Sequence, residues 1–301
     1  MRFAEMYAGL IAMCLQDGVS EMNRRTGQMI MAMPGGASFQ IDVSDGVLPT
    51  IGLRRTWPHV AAAEAAWCFR GHNHADWLRK WTKSWDQFCD PRDCPECDGT
   101  GQDNSTQTPG CYKCMGTGKI FWLEQAYGWR WRGKFAIDQL TIGLERLRRD
   151  SSDRRVWISS WDPGEDILDN GQKTVPCPVG FTLSILDGRL NSSLMIRSSD
   201  LAIGLPIDVM RHALVVAACA ASLGVSPGIL RFALAHPHIY EPHWAQCHDM
   251  INGPPVVVPS VMMPSTPVKR IVAEPDAYVA GFKSYCEGFQ WPEKMKMEVV
   301  P

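Results

Sequence analysis

Two cysteine repeats constrain the folding of this chain more than any other feature. Cys94 and Cys97 form one pair, Cys111 and Cys114 form the other, and both repeats follow the pattern C-x2-C-x-G-x-G. Each repeat can present two thiolates from one tight turn, because its glycines let the backbone fold around a metal. Two such turns predict a closed tetrahedral four-thiolate site, which is the usual arrangement for structural zinc.

The segment that carries these repeats, 89–120, differs sharply in composition from the chain around it. We interpret it as a zinc-binding insert within a catalytic domain that spans 1–301. The insert is too small to have its own core, so the metal would fold it. It resembles the cysteine-rich module of J-domain co-chaperones, with one pair of repeats. An iron–sulfur cluster or disulfides are the alternatives, and four cysteine ligands would leave no open position for catalysis.

The remaining composition is that of an ordinary globular chain. The 301 residues carry a formal net charge of −2, which gives no support for a nucleic-acid partner. No apolar run reaches the length of about 20 residues that spans a bilayer, so we expect no membrane association. The cysteines outside the repeats are scattered, which favours a reducing, cytoplasmic compartment over a disulfide framework.

Hydrophobic periodicity predicts a mixture of helices and strands. The N-terminal stretch is predicted to be an amphipathic helix rather than a signal peptide. The predicted helices cover 1–22, 60–71, the tryptophan-rich stretch 72–88, and 137–150, and a predicted hairpin pairs 28–33 with 37–43.

Cys177 is the candidate nucleophile. It lies between Pro176 and Pro178, and an Arg197-Ser198 pair follows in the next segment. A free thiol has a pKa of about 8.5, which nearby positive charge lowers. The alternative is a buried structural cysteine.

Glu64 is the second candidate, because it lies in the middle of an otherwise apolar helix. A buried carboxylate needs a function or a partner to offset its desolvation. The alternative is an exposed glutamate on the wet face of that helix.

These features occur in motifs that resemble those of thymidylate synthase and the related pyrimidine hydroxymethylases. The resemblance covers most of the chain from Arg25 onward, interrupted by the insert. The matching segments are Arg25-Thr-Gly, Glu64-x-x-Trp67-x-x-x-Gly71, Tyr127-Gly, Ser152-Asp-Arg154-Arg155, Arg197-Ser198-x-Asp200-x-x-x-Gly204-x-Pro-x-Asp208, and His238-x-Tyr240. This chain has Pro178 where the family usually has a histidine. The fold implied is α+β, a large mixed sheet with flanking helices that dimerises through the sheet face.

The resemblance also implies roles for these residues. Cys177, Glu64 and Asp208 would be catalytic. The substrate would be bound by Arg25, Arg197, Ser198, His238 and Tyr240, with Arg154 and Arg155 donated across a homodimer interface to the nucleotide phosphate. The cofactor 5,10-methylenetetrahydrofolate would contact Arg54, Trp85, Tyr127, Asp200 and Gly204.

Asp208 bears on the choice of substrate. Thymidylate synthases have an asparagine here that faces uracil, whereas deoxycytidylate hydroxymethylases have an aspartate. A carboxylate can accept from the exocyclic amine of cytosine, and a proton must then be shared with cytosine N3. Burial would raise the pKa of Asp208 enough to allow this sharing. The alternative is a neutral exchange with no effect on specificity.

The resemblance therefore implies conversion of dCMP to 5-hydroxymethyl-dCMP through a covalent Cys177 adduct. Enzymes of this type belong mostly to phages that modify their DNA precursors, so the host cytoplasm is the implied location. Methylation of dCMP or dUMP with release of dihydrofolate, hydroxymethylation of dUMP, and a non-catalytic interaction scaffold remain as alternatives. At the C-terminus, 274–289 takes the place of the family's last strand region, and 293–301 resembles the segment that closes over the cofactor.

Overall fold

The computed structural model describes residues 3–103, 110–168, 171, 173–253 and 259–300, so Pro301 lies outside the described residues. The architecture is α+β, as predicted, with mixed sheets and flanking helices. The helices are α1 (Phe3–Asp17), α2 (Pro58–Arg70), α3 (Tyr127–Arg132), α4 (Gln139–Arg149), α5 (Gly204–Leu223), α6 (Trp244–Asn252), α7 (Val268–Ala273) and α8 (Pro275–Glu287). The strands are β1 (Val19–Asn23), β2 (Gln28–Ala32), β3 (Ala37–Asp42), β4 (Asp90–Asp93), β5 (Lys119–Trp122), β6 (Trp157–Ser159), β7 (Pro178–Leu186), β8 (Arg189–Ile196), β9 (Ser199–Asp200), β10 (Ser226–Leu234) and β11 (Pro237–Tyr240).

The strands of the main domain form two mixed sheets. One has the order β3-β10-β8-β7-β6 and the other β1-β2-β11-β9. Three chain segments run from one sheet into the other, namely β2 to β3, β8 to β9, and β10 to β11. Arg197 and Ser198 lie at the second of these crossings, so the place where the sheets separate carries predicted site residues.

Helix α5 forms the centre of the core. It packs against α2 and against strands β8 and β10, and fourteen of its twenty residues are buried. Its length and composition would allow it to cross a membrane, but its burial inside the protein identifies it as a core helix. Gly128 permits a second close packing, since a Cβ there would lie 2.2 Å from the Cys68 carbonyl oxygen on α2.

Several predicted elements differ in the structure. Strands β2 and β3 do not form a hairpin, because β2 pairs with β1 and β11 while β3 pairs with β10. The N-terminal helix ends at Asp17, because Gly18 turns the chain into β1. The tryptophan-rich stretch 72–88 contains two single-turn 3-10 helices, Leu78–Lys80 and Asp86–Phe88. Between them the Ser84 amide donates to the Thr82 hydroxyl, a local bond that competes with helix formation.

The segment expected to hold the last strand is instead helix α8. Its buried residues Val279, Phe282 and Cys286 recur at spacings of three and four, which is the period of a helix. Pro275 at its start suits the first helical turn. Beyond α8, residues 293–300 have no regular structure, and Val300 packs beside Tyr240.

Candidate active site

Cys177 lies immediately before β7, in a loop that Arg197 holds from two directions. The Arg197 amide donates to the Cys177 carbonyl at 2.9 Å. Its guanidinium donates to the carbonyl oxygens of Pro176, at 2.9 Å, and Val175, at 2.8 Å. The backbone amide and the side chain of Arg197 therefore both fix the loop, and the side chain places positive charge beside the thiol.

Burial raises the pKa of the Cys177 thiol, and Arg197 is the strongest of the groups that oppose this rise. Arg25 and Arg211 lower the same pKa, while Asp208 raises it. Cys177 is the one partly exposed cysteine, since the other ten are buried. The net pKa of the thiol is raised, and its partial access and the guanidinium groups around it are the features that fit a candidate nucleophile.

The end of strand β11 forms a second wall of the same site. The positive charge of Arg25 acts on Tyr240, His238 and Cys177, so its guanidinium lies near all three. The His238 Nδ1 donates to the His236 carbonyl oxygen at 3.0 Å, which leaves Nε2 as an acceptor. Nε2 is buried and has no hydrogen-bond partner among the described residues. Burial lowers the pKa of His238, so its neutral ring can accept from a ligand hydroxyl.

A row of charged side chains forms the floor of the site. Arg211 on α5 donates to Glu64 Oε2 at 2.8 Å and to Asp208 Oδ1 at 2.6 Å. The Trp85 indole donates to Glu64 Oε1 at 2.8 Å, so Glu64 is held at both oxygens. All three charged side chains are largely buried, with 5 to 6% exposure for Glu64 and Arg211 and 15% for Asp208.

The electrostatics of this row follow from its burial. Burial raises the pKa of Asp208, and Arg211 opposes that rise most strongly. Burial lowers the pKa of Arg211, but Asp208 and Glu64 outweigh it and the net pKa is raised. Arg211 therefore stays charged, and it also lies over the ring of Tyr127 at 4.9 Å.

With this geometry established, sequence comparison identifies the family. The family model described as thymidylate synthase matches residues 5–299. This chain belongs to the thymidylate synthase family. A curated relative, "Thymidylate synthase 1/2" of Encephalitozoon cuniculi (strain GB-M1), is 24% identical over 273 residues, which cover 85% of each chain. Family membership establishes an enzyme of folate-dependent one-carbon transfer to a pyrimidine nucleotide, and members are typically dimers.

The residues predicted to contact folate surround the edge of this thymidylate synthase-type site. Trp85 and Tyr127 meet edge to face, with ring centroids 5.4 Å apart. Asp200 accepts from the amides of Ala202 and Ile203 at the start of α5, and a Cβ on Gly204 would make only an ordinary contact with Asp200.

Polar atoms at this edge fit a ligand such as folate. Arg54 donates to the Ala202 carbonyl oxygen at 2.7 Å, while its Nε is buried without a partner among the described residues. Unpaired buried donors of this kind are costly unless a ligand accepts from them.

Arg154 and Arg155 do not join this cluster. Both are exposed on the segment between α4 and β6, and the Arg155 side chain is 80% exposed. Their position in this chain leaves them available to a neighbouring subunit.

The four cysteines of the insert lie together, as their spacing predicts. All four are buried, and their sulfur atoms lie within 4.8 Å of one another. The sulfurs of Cys94 and Cys111 are 3.9 Å apart, and those of Cys97 and Cys114 are 3.7 Å apart. Four sulfurs placed tetrahedrally about 2.3 Å from a zinc ion are about 3.8 Å from each other, so the group fits zinc.

Backbone groups complete this candidate metal centre. The amides of Gly101 and Gly118 donate to the sulfurs of Cys97 and Cys114, both at 3.3 Å. Both glycines have positive φ, and a Cβ on Gly118 would lie 2.2 Å from the Gly99 carbonyl oxygen. The repeated glycines are therefore required by the close approach of the two turns.

Arg211 is the site residue that our sequence analysis missed. A signal was present, because Arg211 is a lone cation in the apolar helix α5 just as Glu64 is a lone anion in the apolar helix α2. A cation in one buried apolar helix and an anion in another indicate a contact between them, since either charge without a partner would be costly.

Proposed function

We propose that this enzyme transfers the one-carbon unit of 5,10-methylenetetrahydrofolate to carbon 5 of dCMP and yields 5-hydroxymethyl-dCMP. The observation that carries the proposal is Asp208, a carboxyl group at the base-reading position where thymidylate synthases that use dUMP have an asparagine. Its position beside Cys177 and Glu64, with burial raising its pKa, suits contact with an amino-bearing base.

Cys177 is the proposed nucleophile. Its thiolate would form a bond to carbon 6 of the pyrimidine, and the electron pair of the 5,6 double bond would then make carbon 5 nucleophilic. Burial raises the pKa of Cys177, and Arg197, Arg25 and Arg211 oppose that rise and so favour the thiolate relative to a site without them. Bound methylenetetrahydrofolate supplies the one-carbon unit that carbon 5 receives.

Glu64 is the proposed proton-transfer group, acting through ordered water on the carbon 5 proton. Trp85 and Arg211 hold its two oxygens, so its orientation is set before any substrate binds. Preorganised groups of this kind lower the reorganisation that the reaction requires.

The phosphate of dCMP is the proposed ligand of Arg25, Arg197 and Ser198, because guanidinium groups suit phosphate oxygens. The buried acceptor His238 Nε2, with Tyr240 beside it, suits the 3′ hydroxyl of the deoxyribose. The folate would contact Arg54, Trp85, Tyr127, Asp200 and Gly204.

The active unit is proposed to be a homodimer in which Arg154 and Arg155 reach the partner's phosphate site. The outer face of the five-stranded sheet carries exposed apolar side chains, with Trp157 at 49%, Ile229 at 42% and Met195 at 38% exposure. A groove of about 810 Å³ lies along β3 and Ile229 at the same sheet. An exposed apolar sheet face suits a permanent interface between two copies of the chain.

The insert over 89–120 is proposed to hold a structural zinc ion through Cys94, Cys97, Cys111 and Cys114. A closed four-thiolate site has no position for a substrate or a reactive water, so the metal would act by folding the insert. The eleven cysteines all lie in the described part of the chain and none of them is in a disulfide, which suits a reducing compartment such as the cytoplasm.

Methylation is the second candidate, because hydroxymethylation and methylation share every step before the last. In the first case water supplies the hydroxyl group and tetrahydrofolate is released, and in the second folate supplies a hydride and dihydrofolate is released.

Incubation with methylenetetrahydrofolate and either dCMP or dUMP separates the candidates. We expect hydroxymethylated dCMP by mass spectrometry and no rise in dihydrofolate absorbance. A methylated nucleotide with equimolar dihydrofolate would establish methylation instead, and reaction of dUMP alone would overturn the assignment of the base. No product from either nucleotide would favour the scaffold alternative.

A further inference from the structure

Arg211 connects the two carboxylates that the proposed chemistry requires. It is the residue of α5 that reaches Glu64, on the neighbouring helix α2, while also reaching Asp208 one turn earlier on its own helix. Its guanidinium is held over the Tyr127 ring as well, so three groups fix one planar side chain. A lysine could not make both carboxylate contacts with this geometry, because it lacks the guanidinium fork.

This contact determines how Asp208 can present itself to a base. Asp208 Oδ1 accepts from Arg211 Nη2 at 2.6 Å. Arg211 Nη2 is a donor, so a hydrogen on Oδ1 could not point at it without breaking this hydrogen bond. The proton of a neutral Asp208 carboxyl is therefore placed on Oδ2. Oδ2 is then the atom that shares a proton with cytosine N3.

The charge of Arg211 acts on the same proton. Burial favours the neutral carboxyl of Asp208, and the adjacent guanidinium favours the carboxylate. The other groups that influence Asp208 are Glu64 on α2, Asp200 before α5, Tyr127 on α3 and the Cys177 thiol. Among these the two carboxylates favour the neutral form, so Arg211 is the cation that opposes them.

We infer that Arg211 is a positioning residue that favours the ionised form of the base-reading carboxyl of Asp208 in the free enzyme and directs its proton to Oδ2 when the nucleotide binds. The inference rests on the proposed contact between Asp208 and the base. It predicts that nucleotide binding is accompanied by the uptake of a proton at pH values above the pKa of free Asp208.

Calorimetric titration of dCMP into the full-length protein, in buffers of different ionisation enthalpy, measures this uptake directly. In the wild type we expect uptake to begin at the pH where free Asp208 ionises. In Arg211→Gln the opposing cation is gone, so the onset should move to higher pH by about one unit or more. The kcat/KM profile should move in the same direction.

The control is Arg130→Gln, which breaks a buried ion pair with Asp166 at 2.7 and 3.0 Å. Arg130→Gln should lower Tm about as much as Arg211→Gln does, but it should not move the pH at which proton uptake begins. The Asp208→Asn background provides the decisive comparison, because Arg211→Gln should change nothing there. A shift that persisted in Asp208→Asn would assign the proton to Glu64 and overturn the inference.

Two further measurements cover the cases in which the first test fails. If Arg211→Gln does not fold, the double variant Glu64→Gln, Arg211→Gln removes both charges of the buried pair, so neither is left without its partner. The proton uptake of Asp208 can then be measured in that double variant. If the wild type binds dUMP and not dCMP, the proposed substrate fails, but a protonated Asp208 is still needed to donate to the uracil oxygen. The same titration with dUMP then tests Arg211, and an unchanged onset in the variant would overturn its role.

Discussion

The rings of Trp85 and Tyr127 meet edge to face 5.4 Å apart. Between these two residues in the sequence lies the four-cysteine hairpin, which consists of the paired strands β4 and β5 and the cysteine turns that follow β4 and precede β5. Trp85 precedes the hairpin and donates to Glu64, while Tyr127 follows it and lies under Arg211. At the base of the hairpin, Phe121 and Leu123 exchange backbone hydrogen bonds with Ala75 and Asn73. The hairpin is therefore attached directly to the chain that supports the proposed proton-transfer group.

Removal of the metal should loosen this attachment. We expect Cys94→Ser combined with Cys97→Ser to abolish zinc binding, to weaken the near-ultraviolet circular dichroism of the tryptophans, and to lower kcat by about 10²-fold through misplacement of Trp85 and Glu64. Metal analysis and circular dichroism provide readouts that do not depend on turnover. The control is Cys286→Ser, a buried cysteine outside the insert, which should keep its zinc. Unchanged circular dichroism and activity after loss of the metal would exclude this bracing role.

Arg197→Gln should raise the pKa of Cys177. Burial already raises that pKa, and Arg197 is the main group that lowers it, so its loss leaves the neutral thiol favoured. The pH at half-maximal alkylation by iodoacetamide should rise by about one unit. Arg197→Lys retains the charge and should shift less, and Cys177→Ser should remove the fast-reacting thiol. An unshifted profile in Arg197→Gln would show that the thiolate does not depend on this arginine.

Asp208→Asn should move substrate preference from dCMP toward dUMP. The amide can donate to the uracil oxygen at carbon 4 and accept from N3–H, contacts that a carboxylate does not provide together. We expect the ratio of kcat/KM for dCMP to that for dUMP to fall by about 10²-fold or more. Glu21→Gln, an exposed carboxylate change on β1, serves as the control. A ratio unchanged by Asp208→Asn would refute the assignment of base reading to this residue.

Ile229→Glu should disrupt the proposed dimer. The side chain is 42% exposed on the outer face of the five-stranded sheet, where a partner would bury the new carboxylate without a counter-ion. Analytical ultracentrifugation should show a monomer with little activity, because Arg154 and Arg155 would no longer reach a partner. Ile137→Glu, also at an exposed position, should remain a dimer. A dimeric Ile229→Glu variant would place the interface elsewhere.

His212 should make the fold sensitive to acid. It is buried beside Phe181 and Phe232, with Nε2 2.9 Å from the Ser192 hydroxyl, and burial lowers its pKa from 6.5 to about 3. The unfolded chain therefore binds the proton more readily, so stability is full above about pH 6.5 and falls as the pH drops toward 3. His212→Gln should flatten this dependence in chemical unfolding measured at several pH values. An equally steep loss in the variant would assign the acid sensitivity to other groups.

The local features of this chain could be predicted because they depend on neighbouring residues. The spacing of Cys94, Cys97, Cys111 and Cys114 predicted a group whose four sulfurs lie within 4.8 Å of one another. The apolar residues around Glu64 in α2 favoured its burial over an exposed position, and it is buried. The α+β class was implied by the resemblance to thymidylate synthase, and the structure confirms it. Where local hydrogen bonds competed with a helix, as at Thr82 and Ser84, periodicity alone gave the wrong element.

The sequence by itself determined which groups are present: a thiol between prolines, an aspartate at the proposed base-reading position, two turns that each carry a cysteine pair, and a glutamate and an arginine in two apolar helices. Only the tertiary structure decided which of these groups meet. Glu64 and Arg211 are 147 positions apart, and they form an ion pair because α2 packs against α5. The strands β2 and β3 likewise enter different sheets because their partners come from distant parts of the chain. Burial requires the ion pair between Glu64 and Arg211, since neither charge could remain in the core without the other.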